Sequence, residues 1–123
     1  MNNDKPVVIV AQPGRVRDGL QALLMAMPQI QIVGLANDLP SALAIAIECA
    51  PDLVLLDADL QNGGYATALS QIKLKWPETR CLVLTNSVHQ CQEARSAGAD
   101  EALLKGFSGP KLFGSVHRLV TDV

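Results

Sequence analysis

Three short runs constrain this chain more than anything else in it. VVIVA (residues 7–11), LVLLD (53–57) and CLVLT (81–85) are unbroken apolar stretches rich in Val and Leu. A strand with one wet face alternates polar and apolar residues, whereas a continuous run of this length suits a strand covered on both faces. Two weaker stretches complete the set. QIQIV (29–33) alternates as a sheet-edge strand should, and EALLK (101–105) is bracketed by charge and reads as the other edge.

Helical periodicity fills the gaps. Val16, Leu20, Leu23, Leu24 and Met27 share one face, as do Tyr65, Leu69, Ile72 and Trp76, and again Leu112, Val116, Leu119 and Val120. The segment from Val88 to Ala97 carries few apolar anchors before Gly98 stops it. LPSALAIAIECA (39–50) also alternates at strand spacing. Its alanines, Asp38 as N-cap and the need for a crossover between two strands make it a helix. It carries no charge before Glu48, so it is either buried by its neighbours or a partner-binding patch. Strand and helix thus alternate five times. That predicts an α/β fold, a flavodoxin-like doubly wound five-stranded parallel sheet in the order 2-1-3-4-5 with helices on both faces.

Residues 1–123 make a single domain with enough chain for a real core. A net charge of −2 supplies no basic footprint, so direct nucleic-acid binding by this segment is not expected. Cys49, Cys81 and Cys91 are odd in number and lack CxxC spacing, which argues against disulfides or zinc and for a reducing cytoplasm. Each reads as a small core or boundary residue. No apolar run reaches membrane-spanning length and no signal peptide is evident, so a cytoplasmic domain without membrane contact is expected. His89 and His117 have no metal-ligand spacing, and Trp76, Tyr65 and Phe113 read as packing residues.

In such sheets function gathers at the carboxyl ends of the strands. Here those ends are Ala11-Gln12, Asp57, Thr85 and Lys105. A carboxylate, a hydroxyl and an ammonium on one rim suit formation of an aspartyl phosphate. Asp57 would be the nucleophile, Lys105 would pair with a phosphoryl oxygen as a point charge, and Thr85 would hydrogen-bond another. The plainer alternative is an Asp57–Lys105 charge pair closing the sheet's end.

PDLVLLD (51–57), CLVLTNS (81–87) and GADEALLKG (98–106) resemble the phospho-acceptor, Thr/Ser and Lys strands of response-regulator receiver domains of two-component signalling, over about Lys5 to Val120. The Lys-Gly ending and RVRDGL (15–20) are most similar to receivers of helix-turn-helix regulators. The resemblance implies that Asp57 is the phosphoacceptor, Thr85 the switch hydroxyl and Lys105 the phosphate-binding lysine. It further implies a sensor histidine kinase or phosphotransfer protein as partner, homodimers or another protein partner, and an output domain that this chain can precede.

The pattern breaks at the metal. The family keeps an acidic pair after the first strand, and here those positions are Ala11 and Gln12. Mg²⁺ requires hard oxygen ligands in near-octahedral geometry. Only Asp57 and Asp59 remain to offer any, so no cofactor is expected and residual Mg²⁺ binding is weak. Ala102 stands in place of the aromatic that swings inward, Gln61 and Gly106 in place of common prolines, and Gly63-Gly64 loosens the acceptor loop. Arg15 or Arg17 could stand in for the missing cation, or both are simply solvated in the first helical turns.

The leading expectation is a pseudo-receiver, with no enzyme activity of its own, acting by association with weak or absent phosphorylation of Asp57. The alternative is an ordinary receiver phosphorylated there by a histidine kinase. VLLDADL also resembles the DxD motif of haloacid-dehalogenase-like phosphatases, but it sits mid-chain and no acidic pair follows Lys105. Nor does QPGR after the first strand offer a loop that would cradle a flavin or nucleotide phosphate.

Overall fold

The computed structural model describes residues 4–60 and 64–121, so Gln61 and Gly63 of the acceptor loop lie outside the described residues. The strands are β1 (Lys5–Val10), β2 (Ile30–Ala36), β3 (Leu53–Asp57), β4 (Arg80–Thr85) and β5 (Glu101–Leu104). The helices are α1 (Arg15–Met25), α2 (Leu39–Cys49), α3 (Gly64–Lys75), α4 (Val88–Ser96) and α5 (Gly109–Thr121). All strand pairs are parallel and their order is β2-β1-β3-β4-β5, as the pattern predicts.

The unbroken runs arise because each central strand feeds two cores. Val7, Ile9, Leu53, Leu55, Leu82 and Leu84 face Leu20 and Leu24 of α1 and Leu112, Val116 and Leu119 of α5. Their neighbours Val8, Val10, Val54, Leu56, Cys81 and Val83 face Ala42 of α2, Leu69 and Ile72 of α3, and Cys91 and Ala94 of α4. Every second residue belongs to one face, so an apolar residue is needed at each.

Several expectations need correction. β2 runs on to Ala36 rather than ending at Val33. The pairing skips a residue there, with Val7 opposite Ile32 and Val8 opposite Gly34, so Val33 is bulged and the alternation breaks inside the strand. Gly34 has a separate job. A Cβ on it would lie 2.7 Å from Cγ2 of Ile45, so α2 packs onto β2 only over a bare backbone. Val16 is exposed rather than core, and Cys49 is exposed while Cys81 and Cys91 are buried. Burial pushes the Cys81 thiol up to about 12, where it stays protonated as a small apolar filler. Tyr65, Trp76 and Phe113 are half-buried packing residues, and His89 and His117 are exposed.

Helix α2 forms as its cap implies, with Asp38 Oδ1 accepting from the Ser41 N–H at 2.8 Å. Its inner face is the small pair Ala42 and Ala46, and Ile47 points outward at 69% exposure. Helix α4 holds to the sheet through Cys91 and Ala94, with Ser87 capping the Gln90 N–H. Two such small buried residues explain why its periodicity is faint. No helix among the described residues is long and apolar enough to cross a membrane.

Candidate functional site: the carboxyl rim of the sheet

Strand register brings the rim residues together. Val10 pairs with Leu56 and Asp57 with Leu84, so Ala11 and Asp57 leave adjacent strands side by side. Thr85 pairs with Leu104, which puts Lys105 one step beyond on β5. Asp57 is only 7% exposed. A carboxylate so enclosed needs partners, and among the described residues it has two. Lys105 Nζ sits 2.7 Å from Oδ1, and the Asp59 N–H donates to the same oxygen at 2.9 Å.

Lys105 is shared. Its Nζ also lies 2.6 Å from Asp59 Oδ2, and Asn86 Nδ2 donates to Asp59 Oδ1 at 2.8 Å. The charge pair at the sheet's end is therefore a bridge between two carboxylates. Burial pulls the Lys105 ammonium down, but its hydrogen bonds to Asp57 and Asp59 and their charges outweigh it, and the group titrates above the ordinary lysine range. The hydrogen bond from Lys105, then that from Asn86, holds Asp59 below the usual carboxylate range against the opposing effect of burial.

These shifts have opposite consequences for stability. Lys105 is raised in the fold, so its pairing stabilises fully below the unfolded lysine value of about 10.4 and is lost as pH climbs through the raised one. Asp59 is depressed, so its contribution is present above the unfolded value of about 3.9 and disappears as pH falls through the lowered one. Urea unfolding across pH should show the chain losing stability at both extremes, with the alkaline loss smaller in Lys105→Met.

Thr85 sits on the opposite parity from Leu82 and Leu84, so its side chain faces α4. It is fully buried. Its hydroxyl donates to the Leu103 carbonyl at 3.1 Å and shares a 2.8 Å contact with Cys91 Sγ. The expected phosphate-facing hydroxyl is thus satisfied by β5 and α4 instead. Ala102, opposite Val83 on β4, is buried and has no ring to move. Among the described residues neither Arg15 nor Arg17 forms an ion pair, and the Arg17 Nε is buried without a partner, so the cation at Asp57 is Lys105.

The sequence offers Asp59 only as a weak metal ligand, whereas the structure makes it the second carboxylate on Lys105, and Asn86 is a participant the sequence reading lacks. The Asp-x-Asp spacing after a strand is the available signal: the Asp59 N–H bonds back to Asp57, an Asx-type turn that brings the second carboxylate to Lys105. Nothing local announces Asn86.

A model of the response regulator receiver domain matches residues 7–117. The chain belongs to that family. Among this receiver's relatives is the DNA-binding transcriptional activator DevR/DosR of Mycobacterium tuberculosis, 34% identical over 88% of this chain and 49% of the relative. Another is the response regulator protein VraR of Staphylococcus aureus, 30% identical over 91% of this chain and 54% of the relative. The receiver spans about half the length of both. A solved LuxR-family two-component response regulator from Aurantimonas sp. superposes with a TM-score of 0.87 at 24% identity, covering 95% of this chain and 85% of that one. The RcsB response regulator of Salmonella typhimurium gives 0.86 at 18%, covering 98% and 62%. The description of DevR/DosR as DNA-binding agrees with the class of regulator that RVRDGL and the Lys-Gly ending resemble.

Receivers of this family imply Mg²⁺ beside the acceptor. The donors present here do not fit it. Ala11 offers a buried methyl, and Gln12 a neutral amide whose Nε2 donates to the Asn37 carbonyl at 2.9 Å. The Asp59 carboxylate is taken by Lys105 and Asn86. Among the described residues no group of three acidic, His or Cys side chains gathers. One enclosed carboxylate falls well short of an octahedral set.

Proposed function

We propose that this receiver is a pseudo-receiver, signalling by protein–protein association, with Mg²⁺-dependent phosphorylation of Asp57 weak or absent. The observation that carries the reading is the end of β1, where Ala11 and Gln12 supply no charge next to Asp57. An aspartate attacking a phosphoryl group joins two anions, and among the described residues the one cation paired with Asp57 is Lys105. Thr85 and Ala102 support the same conclusion, because the hydroxyl is committed to α4 and β5 and no aromatic follows it. The domain is then no enzyme. Its partners are a second copy or another signalling protein, and the uncharged outer face of α2 around Pro40, Ala44 and Ile47 is available to them. The retained Asp57–Lys105 pair favours a second reading, an ordinary receiver served by a histidine kinase or phosphotransfer protein.

The two readings separate on metal binding. In a Mg²⁺ titration followed by amide NMR, Asp57, Asp59 and Lys105 should show no saturable shift across the millimolar range. Sedimentation should report the same association with or without a small phosphodonor. A saturable shift at those residues, together with phosphodonor-dependent association, would establish the ordinary receiver.

A further inference from the structure

Asp59, two residues after the acceptor position, gathers donors from the ends of two strands. An ammonium from the end of β5 reaches its Oδ2 at 2.6 Å, and an amide from the end of β4 reaches its Oδ1 at 2.8 Å. Its own N–H holds Asp57 Oδ1. Two donors from different strands thus close on the two oxygens of one carboxylate. Neither donor discriminates a carboxylate from a phosphoryl group, since both ligands present anionic oxygens to N–H donors.

We propose that Asp59 is a resident anion that occupies the Lys105 end of the acceptor pocket and keeps an anionic phosphodonor out. It is a positioning residue: it acts on Asp57 through Lys105 and Asn86. The inference deepens the pseudo-receiver reading and rests on it. Two carboxylates and one ammonium leave the trio with a net charge of −1 before any donor arrives. For Asp57 to accept phosphate from acetyl phosphate, one of its carboxylate oxygens forms a bond to phosphorus. The bond from phosphorus to the acetyl oxygen breaks, and acetate leaves with the electron pair. The phosphoryl oxygens then need Lys105, whose Nζ is held by Asp59.

The latch is on the outside of the pocket. The Asp59 side chain is 63% exposed, against 19% for Lys105 and 9% for Asp57. Removing its charge therefore empties the anion position without opening the core, and the fold should survive. That separates a positioning role from a structural one.

The test compares the 123-residue chain with Asp59→Asn, which keeps the shape and loses the charge, and Asp59→Glu, which keeps the charge. Each is incubated with acetyl phosphate and read by intact mass. Each is also titrated with inorganic phosphate while the Asn86 side-chain amide is followed by NMR. Asp59→Asn should gain a phosphoryl group about tenfold faster than wild type, the scale of one removed charge in a partly wet pocket. It should show a saturable Asn86 shift that wild type and Asp59→Glu lack. Equal modification of wild type and Asp59→Asn, including none in either, together with no phosphate-dependent shift, would overturn the proposal. Full Mg²⁺-dependent modification of the wild type would instead overturn the pseudo-receiver reading. The ratio between Asp59→Asn and wild type judges Asp59 separately.

Discussion

Gln12→Asp should take phosphate on Asp57 about a hundredfold faster than the wild type, and only with Mg²⁺ present. Residue 12 lies two positions beyond the Val10–Leu56 pair of β1 and β3, and its exposed side chain donates to the Asn37 carbonyl. Exchanging that amide for a carboxylate costs one exposed hydrogen bond and returns a hard anionic ligand to the neighbourhood of Asp57. Ala11→Asp is the poorer route, because Ala11 is fully buried in the α1/α5 core, where an unpaired carboxylate is destabilising by several kcal/mol. The measurement is the rate of mass gain with acetyl phosphate for Gln12→Asp with and without Mg²⁺, with Gln12→Asp/Asp57→Asn as control. A metal-independent gain, or one surviving loss of Asp57, would show that the acid absent at residue 12 does not limit phosphorylation of Asp57.

Leu55→Ala should be the most damaging substitution for stability, costing about 3 kcal/mol and lowering the melting temperature by roughly 10 °C. Leu55 is fully buried at the centre of β3, between Ile9 of β1 and Leu82 of β4, and faces the core under α1 and α5. Strands on both sides hold the backbone in place, so little can move into the space left. Leu74→Ala is the matched control. Leu74 is 77% exposed, and its loss should be near-neutral, within about 0.5 kcal/mol. Circular dichroism melts of both variants decide the point, and comparable losses would mean that β3 is not the centre of this fold.

How far the sequence could be read follows from where the determining contacts lie. The strands β1, β3 and β4 were legible because burial on both faces leaves a purely local mark. The far half of β2 was not, because the bulge at Val33 depends on its pairing with β1, and Gly34 depends on Ile45 of α2. Helix α4 was faint for the same kind of reason: its anchors, Cys91 and Ala94, are small, and only the sheet behind them shows that they are anchors. At the rim, Asp57 and Lys105 could be paired from strand order alone, and their 2.7 Å contact follows. Thr85 could be placed, but the direction of its hydroxyl could not, since a thiol six residues on and a carbonyl from β5 decide it. Asp59 is legible only as a weak metal ligand at Asp-x-Asp spacing. Its role depends on Lys105 reaching it across 46 positions of sequence, a distance no local pattern spans.

The most direct measurement of the central claim is intact mass after incubation with a small phosphodonor, with and without Mg²⁺, for the wild type beside Asp57→Asn and an intact receiver. The account predicts little or no gain by the wild type under conditions that modify the intact receiver, and no effect of Mg²⁺. A Mg²⁺-dependent gain of one phosphoryl group, absent in Asp57→Asn, would contradict it and make this an ordinary receiver.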